Sequence, residues 1–127
     1  MTFVEAFHGS ASRFENFKNS GSGIHAGTYD QAAHAAMLRL ARIPLKKFEA
    51  LPVDSKGWRG VIYRVSLNLG KCIRVEDPRT PEKWKEVISI AKQNGDNSIV
   101  YLNEFEGQKE SDSYCVFDAS QIHILEQ

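Results

Sequence analysis

The sequence predicts an α+β domain on three observations. Strand-like segments gather at both ends of the chain. Two stretches with apolar residues three and four apart lie between them. The order of these segments does not give the regular β-α-β alternation of a parallel sheet. With 127 residues, 42% hydrophobic and 25% charged, the chain has the size and composition of one globular domain spanning 1–127. No internal repeat or linker divides it.

The elements follow in order. Residues 3–8 are expected to form a first strand. Phe14 and Phe17, three apart within residues 10–18, fit one or two helical turns. Asn19-Ser20-Gly21-Ser22-Gly23 is a loop by composition, and Ile24 to Gly27 a brief second strand. Thr28 to Ile43 is the clearest helix: Ala33, Ala36, Met37, Leu40 and Ile43 share one face. Thr28 is placed to cap it, Asp30 suits the first turn, and Pro44 ends it. Residues 44–58 lack a strong period and read mostly as loop.

Val61, Tyr63, Val65, Leu67 and Leu69 fall on every second position, the mark of a strand with one buried face. After Gly70, Cys72 to Val75 continues briefly. Thr80 and Pro81 form the start signal of a second helix, whose stripe is Trp84, Val87, Ile88 and Ala91, and Gly95 stops it. Ser98–Asn103, Ser113–Asp118 and Gln121–Leu125 read as strands, with a polar connection over 107–112.

Composition also excludes. The formal net charge is zero and Lys46-Lys47 is the one adjacent basic pair, which argues against broad electrostatic binding to nucleic acid. No apolar run approaches the roughly 18 residues of a membrane span, so no membrane association is expected. Cys72 and Cys115 lack metal-knuckle spacing, and both are expected as buried, reduced thiols. The four histidines are scattered and show no zinc motif, so no metal is expected. These features place the chain in the cytoplasm.

Three short motifs are left to carry chemistry. Gly21-Ser22-Gly23-Ile24-His25-Ala26 matches a dinucleotide fingerprint by letter, but it lacks the preceding strand and the helix start which that motif needs. His8-Gly9-Ser10 sets an imidazole at a strand end, beside backbone that a ligand can approach closely, with a hydroxyl next to it. Glu104 and Glu106 point to the same side if the segment is extended; such a pair is costly in a core, so it belongs to a rim or to a site. A carboxylate there can accept a sugar hydroxyl as positive charge develops at an anomeric carbon. Around Gly27, His25, Thr28 and Tyr29 offer a ring to stack and a helix cap.

In order and spacing these segments resemble the small phage and prophage ADP-ribosyltransferase-like domains. The stretches are Phe7-His8-Gly9-Ser10, Gly23 to Thr28 with Gln31-Ala32, Ile99 to Glu106, and Ser113 to Asp118 with Gln121-Ile122. The resemblance implies a split antiparallel β-sheet core with flanking helices and a cleft for NAD as co-substrate, without a metal. It implies that His8 holds a ribose, Gly9 contacts the nicotinamide amide, and Ser10 is a secondary contact. Gly27, Thr28 and Tyr29, with His25, would form the second wall. Glu106 would bind the nicotinamide ribose, and Glu104 would orient or deprotonate the acceptor; the two glutamates can exchange these roles. The implied activity is mono-ADP-ribosylation of a bacterial host protein, as in a phage effector or toxin acting on host defence such as CRISPR machinery. The alternative is a catalytically inactive scaffold of the same fold that inhibits a partner by contact.

Overall fold

The computed structural model describes residues 2–55, 57–104, 106–107 and 110–126. It is an α+β protein of two sheets and three α-helices among the described residues. The strands are β1 (Phe3–Ser10), β2 (Ile24–Ala26), β3 (Val61–Asn68), β4 (Cys72–Arg74), β5 (Ser98–Asn103), β6 (Ser111–Val116) and β7 (Ile122–Glu126). The helices are α1 (Tyr29–Ala41), α2 (Leu45–Ala50) and α3 (Pro81–Gln93).

One sheet has the order β1-β3-β7 and the other β2-β6-β5-β4. All pairs are antiparallel except β4 with β5. The sheets meet at a single antiparallel bridge between Phe7 and Gly27, with N–H to carbonyl bonds of 2.8 and 2.9 Å in both directions. Paired residues point the same way, so Phe7 and Gly9 of β1 share a face with Gly27 and His25 of the second sheet. That face carries α1 over the first sheet, and α3 over the second, where Trp84, Ile88 and Ala91 cluster with Ile99, Tyr101 and Cys115. The opposite faces close on each other around Ala6, Ile24, Ala26, Tyr63, Val65, Leu67, Val116 and Ile122. Burying each large apolar side chain there contributes roughly 1.5–3 kcal/mol.

The alternation over β3 holds: Tyr63, Val65 and Leu67 are fully buried. So do the signals around α3. Thr80 Oγ1 accepts the Lys83 N–H, Pro81 is the first helical residue, and Gly95 follows the cap with φ 81°. In α1, Thr28 and Gln31 form a reciprocal capping box.

Several expectations are corrected. Residues 10–18 form no helix. The spacing of Phe14 and Phe17 serves a ring cluster with Tyr63 and His8 instead, and the Tyr63 hydroxyl bonds both the N–H and the carbonyl of Phe14. Residues 44–58 contain α2, none of whose side chains is buried. Arg59 holds its end, donating to the Phe48 and Leu51 carbonyls at 2.9 and 3.0 Å with its guanidinium over the Phe48 ring. The packed side of α1 is Gln31, Ala32 and Ala36, while Met37 is 56% exposed. Gly9 lets β1 come so close to α1 that the helix meets it at the backbone of Ala32 and Ala36. Cys72 is exposed; Cys115 is buried, and burial pushes its thiol up to about 12. Phe105, Gln108 and Lys109, named in the motifs and the polar connection, lie outside the described residues, as does Lys56 in the 44–58 stretch.

Candidate functional site

A cleft of about 440 Å³ opens between α1 and the start of α3, over the junction of the two sheets. The backbone of Gly9 and Gly27 lies in its floor. Phe7, His25, Trp84 and Tyr101 give it an aromatic side. Arg39, Asp77, Arg79, Asn103 and Glu106 supply its charge and polarity.

The aromatic side is fixed by ring contacts and hydrogen bonds. Trp84 meets His25 and Tyr101 edge to face at 4.5 and 4.8 Å. His25 Nε2 lies 2.7 Å from the Ser22 carbonyl, which can only accept, so Nε2 carries the proton. Burial lowers the His25 pKa and keeps the ring neutral. His25 Nδ1 therefore accepts from the Tyr101 hydroxyl at 3.0 Å. Burial raises the Tyr101 pKa, so the phenol remains a donor.

Glu106 enters the cleft from a turn rather than from a strand. β5 ends at Asn103 and the chain bends, so Glu104 and Glu106 do not share a strand face. Glu106 lines the cleft, half-buried; Glu104 is exposed and is not among its lining residues. Asn103 Nδ2 donates to Glu106 Oε1 at 2.8 Å, and the Glu106 N–H donates to Asn103 Oδ1 at 3.1 Å. The next amide, Gly107 N–H, donates to His34 Nδ1 on α1. Across the cleft, Arg39 donates to the Gly9 carbonyl. Partial burial lowers its pKa while the nearby Glu106 carboxylate raises it, and a guanidinium in such a setting stays charged.

Of the residues singled out from the sequence, Gly9, His25, Gly27 and Glu106 come together in this cleft. His8 does not. It lies on the other face of β1, 8% exposed, and lines a second cavity of about 400 Å³ with Phe14, Phe17 and Lys18. Its Nδ1 donates to the His25 carbonyl at 2.6 Å, leaving Nε2 to accept from Arg39 at 3.5 Å. The imidazole in the cleft is thus that of His25. Ser10 bonds Ser12 locally; Thr28 caps α1; Tyr29 is exposed and touches Phe7 edge to face at 5.5 Å. None of these three lines the cleft.

Arg39, Trp84, Tyr101 and Asn103 belong to the cleft without having been marked as site residues. Arg39 follows Ala32, Ala35 and Ala36 on the side of α1 that faces β1 and the cleft, and Trp84 reads as part of the α3 stripe. Asn103 reads from the sequence only as the last residue of a strand, ahead of Glu104 and Glu106. Among the described residues no three His, Cys, Asp or Glu side chains gather to hold a metal, and no helix is long and apolar enough to cross a membrane. No protein-family model matches the chain, and a search of curated proteins finds no match to it.

Proposed function

We propose that this protein is a mono-ADP-ribosyltransferase that uses NAD to modify a protein of a bacterial host, working in the host cytoplasm as a phage effector. The observation that carries this reading is the Glu106 carboxylate held inside a cleft at the meeting point of two sheets, together with bare glycine backbone, an aromatic side and Arg39. We read the bend at Phe7 and Gly27 as the split core of the ADP-ribosyltransferase-like domains.

The donor set fits the dinucleotide. A cleft of about 440 Å³ falls in the range of small-molecule sites. Trp84, Tyr101 and Phe7 offer ring surface to a flat heterocycle. Arg39 and Arg79 bring positive charge for a diphosphate, and Arg39 can address one phosphate oxygen while keeping its bond to Gly9. NAD supplies an ADP-ribosyl group whose bond to nicotinamide breaks with the electron pair departing on the nicotinamide nitrogen. Glu106 accepts a hydrogen bond from a ribose hydroxyl, and this bond strengthens as positive charge builds at the anomeric carbon. Arg39, on the diphosphate, holds the ADP-ribosyl group that is transferred in register with the acceptor. The acceptor side chain attacks the anomeric carbon, and its proton passes to Glu104, exposed on the same turn, or to water.

The test is to incubate the protein with NAD and a bacterial lysate and to seek, by mass spectrometry, a protein that gains one ADP-ribose unit. Wild type is expected to give the modification and Glu106→Gln to lower it by about a hundredfold or more. Equal modification by both removes Glu106 from the chemistry. Inhibition of a host partner that survives Glu106→Gln, with no modification, would mean that the scaffold acts by contact alone.

A further inference from the structure

We propose that Asn103 is the positioning residue for Glu106, locked in one orientation by a hydrogen-bond chain that starts at the N-terminus of α1. This rests on the reading of Glu106 as the reacting carboxylate. Each link has only one possible direction. The Thr28 N–H, which can only donate, bonds Gln31 Oε1 at 2.9 Å. The other amide group, Gln31 Nε2, donates to the Ser111 carbonyl at 3.0 Å, which fixes that amide. The single Ser113 hydroxyl proton then goes to Gln31 Oε1 at 2.8 Å. Ser113 Oγ is left to accept, and Asn103 Nδ2 donates to it at 3.1 Å. The second Nδ2 hydrogen is thereby aimed at Glu106 Oε1, and Asn103 Oδ1 receives the Glu106 N–H.

Asn103 therefore grips Glu106 twice, by side chain and by backbone. A flipped Asn103 amide would set its N–H groups against the Glu106 N–H and its oxygen against a carboxylate. Gln31, Ser113 and Asn103 are 2%, 2% and 3% exposed, so water does not replace a lost link at low cost. Gly27 leaves room for the chain: a Cβ there would collide with Gln31 Oε1 and stand 2.7 Å from Ser113 Oγ. The chain joins three elements, α1, β6 and the end of β5, so the carboxylate is set by the rigid scaffold although it sits on a turn.

The variant Asn103→Asp keeps the shape and the Oδ1 acceptor but turns the donor into an oxygen. It should lower kcat for NAD turnover by at least about tenfold while KM for NAD changes less than about twofold. Because the new carboxylate faces the Glu106 carboxylate, repulsion turns it off the turn and takes the Oδ1 acceptor with it, so hydrogen exchange at the Glu106 amide should quicken by about tenfold or more, with the β5 and β6 amides unchanged. Ser113→Ala leaves both Asn103–Glu106 bonds but frees the amide to turn; it should show the same pattern more weakly, and it serves if Asn103→Asp does not fold. An unchanged kcat in Asn103→Asp, where Glu106→Gln abolishes turnover, overturns the proposal. If wild type itself gives no turnover, the catalytic reading of Glu106 fails on its own, and amide exchange decides: a Glu106 amide equally protected in wild type and Asn103→Asp overturns the positioning role.

Discussion

His8 and His25 are both neutral for the same reason: burial disfavours the imidazolium more than their carbonyl partners favour it. For His8 the result is a pKa lowered from 6.5 to about 4. Between those values the unfolded chain binds the extra proton, so stability rises with pH across that window. The contribution is complete above pH 6.5 and is lost as the pH falls towards 4, a change of roughly 3 kcal/mol. In urea denaturation at pH 7.5 and pH 4, wild type should therefore lose about 3 kcal/mol more than His8→Gln, which has no proton to take up there. Equal losses in the two proteins would show that His8 is not held neutral. The His8-Gly9 pair was legible as special from the sequence, but the side to which its imidazole points was not. That depends on the Phe7–Gly27 pairing, which sets Gly9 on the cleft face of β1 and so turns His8 to the other.

At the scale of elements, local signals carried the helices whose ends are capped by their own residues, α1 by Thr28 and α3 by Thr80. They failed for α2, whose end is held by Arg59 from a later segment. They also misplaced the buried face of α1, because that face is chosen by Gly9 rather than by the largest side chains on the helix. A Cβ at position 9 would collide with the Ala32 carbonyl oxygen and lie 2.9 Å from the Ala36 nitrogen, both of which are helix backbone and cannot turn aside. Gly9→Ala should force α1 off β1 and lower stability by about 1–3 kcal/mol in a denaturant titration. An unchanged midpoint would mean that the two elements do not pack this closely. The turn after β5 is a further case. Glu104 and Glu106 look like neighbours on one strand face, yet the strand stops at Asn103, whose side chain closes the turn onto the Glu106 amide. Nothing in an alternating pattern announces where a strand ends by side-chain capture.

For the whole molecule, the α+β class followed from segment order, but the cleft follows from a bend that no single segment contains. The sheets share one backbone bridge, at Phe7 and Gly27, and the opening lies over it, between α1 and the start of α3. Gly9, Gly27 and Glu106 reach that opening from three distant parts of the chain; the motifs that single them out also single out His8, Ser10, Thr28 and Tyr29, which do not line it. Arg39, Trp84 and Tyr101 were not selected, since a helix cation and core aromatics look alike whether or not a cleft lies beside them. The central claim is that this opening binds NAD and that Glu106 drives cleavage of its bond to nicotinamide. The direct measurement is nicotinamide release by the purified protein, alongside calorimetric NAD binding, for wild type and Glu106→Gln. The account predicts binding within a few-fold for both and release slower by about a hundredfold or more in Glu106→Gln; absence of NAD binding, or equal release from both proteins, would contradict it.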